Sequence, residues 1–475
     1  MPNALNFFIN GKWVKPRNQP TLDVINPATE KPVGLISLGT AEDIDAAVTA
    51  AHNAFPTWRR SNRKERLDLL ESILSQYRRR YDDIAEAITL EMGAPSSVSR
   101  DVQAAMGVTH LETAIAVLRD FPFSFDRGST RIEKEPIGVC GFITPWNWPI
   151  NQVSSKVCPA IATGCTMVLK PSEIAPLSSM VWAEIMDAAG TPAGVFNLVN
   201  GDGPTAGAAL SCHPLVDMIS FTGSTRAGVD VAKNAAPTVK RVHQELGGKS
   251  ANILMPDADF EAAVEHCVRA VTLNSGQNCN APTRLLAPFS QLDRVEAAAQ
   301  AVIDTIKVGK PTEPVDMGPV VSEIQWDKIQ DLIKSGVKEG ARLISGGPDR
   351  PEGLDQGYYV KPTIFSRASN DMRIAREEIF GPVLTIIGYE NIDQAVEIAN
   401  DTPYGLAAYV SGKDKSVIRD IASRLAAGQV VVNGSPPDPM APFGGYKQSG
   451  NGREWGDFAF DEFLEVKAVL GYPSG

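Results

Sequence analysis

An α/β fold built on parallel sheets, divided between at least two domains, is predicted by three features of the sequence. From about residue 137, short β-rich runs alternate with alanine-rich helical segments, the order expected when each pair of parallel strands is joined by a helical crossover. The same alternation resumes after residue 250. At 475 residues the chain also exceeds what one hydrophobic core usually serves.

Taken in order, residues 1–14 set Phe7, Phe8 and Ile9 against Asn10, Gly11 and Lys12, a strand and turn rather than an export signal. Thr40 is an N-cap with Asp43 three residues on, and Ile44, Val48, Ala51 and Phe55 recur on one helix face until Pro56. In a second helix Leu67, Leu70, Ile73, Leu74 and Tyr77 keep the helical period, and a third segment stops at Gly93-Ala94-Pro95. Stripes of this kind are core packing. Strands are expected at 137–144, 166–170, 195–199 and 216–221, with a helix at 177–189, and again at 251–254, 283–286, 383–387, 407–411 and 429–433.

Two pieces stand outside the alternation. Phe121, Phe123 and Phe125 precede Arg131-Ile132-Glu133-Lys134, and the end of the chain, including 463–466, reads as another strand. Edge strands of this kind hide or pair with another subunit. The stretches 309–318, 346–357 and 433–456 are loops, the last rich enough in Gly and Pro to be a site loop.

Composition narrows the partners. With 45 basic against 56 acidic residues the formal charge is -11, which argues against general affinity for nucleic acid or anionic lipid. No uninterrupted apolar stretch reaches bilayer length, so no membrane partner is expected and small molecules are. The cysteines at 140, 158, 165, 212, 267 and 279 show no C-x-x-C spacing. Neither a disulfide scaffold nor a metal site is indicated, which fits a reducing cytoplasm.

One cysteine differs from the others. In Ser275-Gly276-Gln277-Asn278-Cys279-Asn280 the neighbours are polar, Gly276 permits a sharp turn, and the flanking amides offer donors to a thiolate or oxyanion. A nucleophile there needs a donor, a base and an acceptor for electrons. Thr144-Pro145-Trp146-Asn147-Trp148-Pro149 follows a strand, where a fixed Asn147 amide can face a developing oxyanion; read alone, the run fits an ordinary turn with buried indoles equally well. Lys170-Pro171-Ser172-Glu173 and Gly223-Ser224-Thr225-Arg226-Ala227-Gly228 each follow a strand. The second has the form G-x-T-x-x-G, and its backbone amides and the Ser224 hydroxyl can meet a phosphate. Glu173 would repel a 2'-phosphate, which favours NAD over NADP. Glu245, before Leu246-Gly247-Gly248-Lys249, is expected at a tight, partly buried turn that raises its pKa toward that of a general base. His243 is a rival base, but with five histidines and no legible Cys–His pairing Glu245 is preferred.

Seven runs in register, P-W-N-W-P, K-P-S-E, F-T-G-S-T-R-A-G, E-L-G-G-K, G-Q-N-C, E-E-I-F-G-P from Glu377 and P-F-G-G-Y-K-Q-S-G-N-G-R-E from Pro442, together resemble the aldehyde dehydrogenase superfamily over nearly the whole chain. The resemblance implies a Rossmann-like NAD-binding domain at 1–116 and 137–246, a catalytic domain at 247–449, and an oligomerisation extension and tail at 117–136 and 450–475. By the same resemblance Cys279 is the nucleophile, Asn147 with the Cys279 amide the oxyanion hole, and Glu245 the base for hydrolysis, while Lys156 and Glu454 relay protons. Lys170 and Glu173 would hold the adenosine ribose, Ser224 the pyrophosphate and Glu378 the nicotinamide ribose. Trp146 and Phe380 would border the nicotinamide, and Gly223 and Gly228 would shape the cofactor turn.

Trp148, Gln152, Ser155, Asn278, Asn280 and the Pro436-Pro437 region match the family's substrate tunnel. Trp148 makes a bulkier wall than the usual phenylalanine. At the position of Ser155, succinate-semialdehyde enzymes commonly carry arginine and betaine-aldehyde enzymes an aromatic residue. A neutral aliphatic or aromatic aldehyde is therefore expected, with the amides available to a polar or heteroaromatic ring, and the assembly is expected to be a homodimer or homotetramer. The alternatives are a semialdehyde dehydrogenase of the same fold, a coenzyme A-acylating dehydrogenase and a non-catalytic structural homologue.

Overall fold

The computed structural model describes residues 3–16 and 20–472. Its first sheet has eight strands in the order Gly450–Asn451, Arg241–Glu245, Met218–Thr222, Val139–Ile143, Thr166–Lys170, Phe196–Leu198, Phe7–Ile9 and Lys12–Val14. The strands from Arg241–Glu245 to Phe196–Leu198 are parallel. Of these, Val139–Ile143 comes first in the chain. The later connections run outward from it to one side and then, from Met218–Thr222 on, to the other. That reversal opens a crevice beyond the carboxyl ends of Val139–Ile143 and Met218–Thr222, where open α/β sheets bind ligands.

Every residue of Val139–Ile143, Thr166–Lys170 and Met218–Thr222 is buried, as befits parallel strands covered on both faces. Their alternation sorts the core. Cys140, Phe142 and Met218 pack with Ile150, Val157 and Trp182, whereas Val139, Ile143, Ile219 and Phe221 pack with Ile44, Val48, Ala51 and Leu210.

The second sheet orders Arg342–Ser345, Thr363–Ser366, Val383–Tyr389, Arg284–Pro288, Ala251–Leu254, Ala407–Ser411 and Gln429–Val432, parallel except for Arg342–Ser345. Arg284, which opens the strand after the Cys279 loop, is buried. Its guanidinium donates to the carbonyls of Lys249 at 3.0 Å, Ile398 at 2.8 Å and Ala399 at 2.8 Å, and to Asn370 Oδ1 at 2.9 Å. A desolvated cation is tolerable only with its donors answered in this way. A third, antiparallel sheet joins Leu464–Val469, Thr130–Pro136 and Ser124–Arg127.

Several expectations change. Asp43 does accept from the Thr40 amide at 3.0 Å and hydroxyl at 3.1 Å, but helix Ala41–Trp58 continues through Pro56. The proline lies in the last turn, and Arg59 N still reaches Phe55 O at 2.9 Å. The tight turn expected at Glu245 is instead the last residue of strand Arg241–Glu245, held from both sides by its neighbours. The hairpin Thr21–Asn26 and Lys31–Ser37 and the strands Arg342–Ser345 and Thr363–Ser366 were not expected; two of these are four residues long, too short for a period to register. Phe121 and Phe123 precede strand Ser124–Arg127 and pack on each other with ring centroids 5.0 Å apart. The expected domain boundary after residue 116 falls inside helix Ala105–Asp120, and Gly450–Asn451, assigned to the tail, joins the first sheet. The strand expected near the C-terminus is Leu464–Val469, and residues 473–475 lie outside the described residues. Among the described residues no helix is long and apolar enough to cross a membrane.

Candidate active site

The crevice holds a cavity of about 190 Å³ lined by Trp146, Asn147, Gly223, Ser224, Glu245, Cys279, Glu378 and Phe380. Residues far apart in the chain are thus brought to one place. A wider groove of about 720 Å³ beside Arg59 and Lys134 contains none of them.

Asn147 is fixed between the end of the first sheet and the cysteine loop. Its Nδ2 donates to the Gln277 carbonyl at 3.0 Å, and its own carbonyl accepts from Asn274 Nδ2 at 2.8 Å. Gln103 holds Asn274 from behind, Nε2 to Oδ1, at 2.9 Å. All four residues are buried. A primary amide has two N–H groups, so Asn147 keeps one for a further acceptor.

The cysteine loop is bent by three successive left-handed residues, Asn274, Ser275 and Gly276, with φ of 54°, 56° and 74°. Such angles cost a non-glycine residue about 1–3 kcal/mol, and the ties from Asn274 to Asn147 and from Ser275 Oγ to the Gly318 carbonyl at 2.8 Å hold them. Gly276 is required on a second count. A Cβ there would collide with the Gly381 carbonyl carbon, so the loop carrying Cys279 and the loop carrying Glu378 and Phe380 touch backbone to backbone.

Cys279 is partly exposed, while Cys140, Cys158, Cys165 and Cys267 are buried. The backbone amides of Cys279 and Asn280 favour the thiolate. Those donors are outweighed. Burial, reinforced by the Glu245 and Glu378 carboxylates, pushes the thiol up to about 12, so the sulfur rests protonated at neutral pH.

Glu245 is buried, with Oε1 at 3.4 Å from His243 Nε2 and Oε2 without a partner among the described residues. Burial and the charge of Glu454 hold its carboxyl well above the ordinary range, against the pull of Lys156 and Arg453. Lys156 and Glu454 do not line the cavity; they form a buried ion pair behind Glu245, and Lys156 Nζ also donates to Thr222 Oγ1 at 2.8 Å. Burial raises Glu454, but Lys156 and His243 outweigh it and keep its carboxyl below the usual value.

On the other wall the Trp146 and Phe380 rings meet edge to face, 5.4 Å apart at 87°. Glu378 Oε1 accepts from the Gly248 amide at 2.9 Å. Gln325 and Lys328, on helix Glu323–Lys338, complete this wall and were missed from the sequence, because an amphipathic helix carries no chemical signature. Gln325 donates to the Phe380 carbonyl at 2.7 Å. Ser224 is not simply a free hydroxyl. Its Oγ caps helix Thr225–Ala235 by accepting from Ala227 N at 3.3 Å, so the helix terminus itself faces the cavity. Gly228 lies outside the cavity lining, where a Cβ would come within 2.7 Å of Leu246 Cδ2. Lys170 and Glu173 pair at 3.1 Å at the end of the adjacent strand, also outside that lining.

Trp148, Gln152, Asn278 and Asn280 are absent from the same lining. The Trp148 indole N–H donates to Asn278 Oδ1, and Asn278 Nδ2 donates to the Leu273 carbonyl at 3.0 Å. The Asn278 amide is thus held at both ends, with one Nδ2–H left for a further acceptor. The Asn280 carbonyl accepts from Tyr409 OH at 2.9 Å. Gln152 is buried with Oε1 unpartnered, and Ser155, also buried, donates to the Gln152 carbonyl at 3.4 Å.

Comparison with known proteins identifies the family. The profile of the aldehyde dehydrogenase family matches residues 13–469. A protein from Pseudomonas sp. named 3-succinoylsemialdehyde-pyridine dehydrogenase is 56% identical over 474 residues, covering 99% of each chain. The crystal structure of a cysteine-to-alanine mutant of aldehyde dehydrogenase C from Pseudomonas syringae, in complex with NAD+ and octanal, superposes with a TM-score of 0.99 at 50% identity, covering 100% of this chain and 98% of that one. An aldehyde dehydrogenase from Bartonella henselae gives a TM-score of 0.96 at 48% identity, covering 98% of each chain. The chain belongs to the aldehyde dehydrogenase family.

Proposed function

We propose that this protein is an NAD-dependent aldehyde dehydrogenase that oxidises an aldehyde to a carboxylic acid through a covalent intermediate on Cys279. One observation carries the reading: a thiol, a half-free amide donor and a carboxyl with an unpartnered oxygen line one cavity at the sheet's switch point, beside a helix terminus.

The cavity suits NAD. The first turn of helix Thr225–Ala235, entered through Gly223 and Ser224, offers backbone amides to a pyrophosphate. Glu378 would take the nicotinamide ribose, between the Trp146 and Phe380 rings and the cysteine. Lys170 and Glu173, which pair at 3.1 Å, would open to the adenosine ribose, and the Glu173 charge favours NAD over NADP. A relative with 50% identity was crystallised with NAD+. When bound, NAD supplies the hydride acceptor and a positive charge that favours the thiolate.

Cys279 gives its thiol proton to solvent water and adds as the thiolate to the aldehyde carbonyl, whose C=O π pair moves onto oxygen. The oxygen gains negative charge and meets the second N–H of Asn147 and the Cys279 amide. Loss of hydride from the carbon leaves a thioester on Cys279. Glu245 Oε2 takes a proton from water, the hydroxide attacks the thioester, and the carboxylic acid departs as the sulfur is restored. The proton then passes from Glu245 toward the Lys156–Glu454 pair. The presence of Glu245 favours hydrolysis over transfer to coenzyme A.

The substrate is a neutral aliphatic or aromatic aldehyde. Ser155 presents no charge, and the Trp148 wall is pinned by Asn278. A relative's complex with octanal and another relative's name as a 3-succinoylsemialdehyde-pyridine dehydrogenase support that class. The exposed Val466 and Leu470 at the outer strand of the third sheet support pairing into a homodimer or homotetramer.

In the cofactor-free protein, alkylation of Cys279 by iodoacetamide is expected to accelerate continuously to pH 10, without a plateau; a half-maximal rate near pH 7 would show that burial does not govern the thiol. Glu245→Gln is expected to keep a rapid NADH burst and to lower steady turnover by about 100-fold, the scale of general-base catalysis. Loss of burst and turnover together in rapid mixing would place Glu245 in thiol activation instead. Across a panel of aldehydes with NAD and NADP, octanal and pyridine carbaldehydes with NAD should give the highest kcat/KM, and dominance by succinate semialdehyde would overturn the substrate class.

A further inference from the structure

His243 is absent from the cavity lining and has no part in the steps above. Yet it is buried against the proposed base, on the same strand. Residues two apart on a strand point to the same face, and His243 Nε2 lies 3.4 Å from Glu245 Oε1. Among the described residues this is the sole hydrogen-bond partner of the Glu245 carboxyl, whose Oε2 has none.

The pair has little room to separate. Strand Arg241–Glu245 is held by Met218–Thr222 on one side and by Gly450–Asn451 on the other. The loop beyond lies directly on both side chains: a Cβ at Gly452 would sit 2.6 Å from His243 Cδ2, and one at Gly444 would sit 2.7 Å from Glu245 Oε1.

The other ring nitrogen identifies the tautomer. His243 Nδ1 is buried with no partner. A buried N–H left unmade costs about 1–3 kcal/mol; on Nδ1 the proton would meet nothing, and on Nε2 it meets the carboxyl, so it belongs on Nε2. Burial pushes the imidazole down to about 4; Glu454 opposes this, while Lys156 and Arg453 add to it. The ring is therefore uncharged through the neutral range and donates without titrating there.

We propose that His243 is a positioning residue, a neutral Nε2–H donor that stabilises the Glu245 carboxylate when the acid gives up its proton and holds it between the cavity and the buried Lys156–Glu454 pair. The inference rests on the reading of Glu245 as the base for hydrolysis. The charges that act on Glu245 are Glu454 and Glu462, which disfavour its ionised form, and Lys156 and Arg453, which favour it. The Cys279 sulfur is the remaining titratable neighbour. None of these supplies the hydrogen bond that His243 does. Removing the donor raises the proton affinity of Glu245, so deacylation requires a higher pH.

The test compares His243→Leu, which fills the space without a donor, and His243→Gln, which keeps an N–H, in the full-length enzyme with octanal and NAD. His243→Leu is expected to retain the NADH burst, to lose about tenfold in kcat at pH 7, and to move the acid limb of kcat upward by about 1 pH unit, since one unit is tenfold in proton occupancy. His243→Gln, the milder change in the core, is expected to return the limb toward the parent. An acid limb of kcat that stays in place in both variants would overturn the proposal even if kcat fell, because a merely structural role lowers activity without moving that limb. If His243→Leu does not fold, a limb displaced in His243→Gln by less than 1 unit supports the proposal and an unmoved one overturns it. If Glu245→Gln slows turnover while the His243 variants keep the parent limb, this inference alone falls; if Glu245→Gln turns over normally, the reading of the base falls with it.

Discussion

The tie between Asn147 and the cysteine loop is the constraint on which the rest of the site depends. Asn147 belongs to the end of a strand in the first sheet and Gln277 to the loop that feeds the second, and a 3.0 Å hydrogen bond joins them across 130 residues of sequence. Asn274 and Gln103 complete the knot. Each sheet alone offers half a site: one gives an amide donor and a helix terminus, the other a thiol. The buried amides are satisfied only when the halves meet, so docking of the two sheets and assembly of the cavity are one event.

Electrostatics inside that cavity follow from burial more than from charge. Cys279 and Glu245 are both displaced toward their protonated forms by desolvation, and the nearby carboxylates add to it. A resting site of neutral acid and neutral thiol avoids the cost of two adjacent buried anions. Glu454 is the exception, kept ionised by its direct pairing with Lys156. The site therefore holds one compensated charge pair beside a buried carboxyl displaced toward its protonated form.

Much of this was legible in the sequence because the chemistry is carried by short runs. The strand preceding Asn147, the polar setting of Cys279 and the glycine-rich turn at Gly223 each occupy a few consecutive residues, and the alternation of β-rich and alanine-rich segments indicated the parallel sheets. What was not legible depends on partners distant in the chain. A sequence separation of 298 hides the ion pair of Lys156 and Glu454. The polar neighbours of Cys279 suggested an easily ionised thiol, whereas its folded surroundings do the opposite. The bond from the Trp148 indole to Asn278 joins residues 130 apart, which the polar run around Cys279 does not reveal. Glu245 looked like a turn residue because Leu246-Gly247-Gly248 follows, yet strand pairing carries through it. His243 read as a competing base and is instead the neighbour of the preferred one.

The central claim is that oxidation runs through a covalent acyl group on Cys279, and mass spectrometry tests it most directly. Glu245→Gln would be mixed with octanal and NAD, quenched in acid during the first turnover, and digested for peptide mapping. The expected result is an octanoyl thioester on the peptide containing Cys279, in proportion to the NADH formed. NADH formation with no acyl group on Cys279, or with the group on another cysteine, would contradict the account.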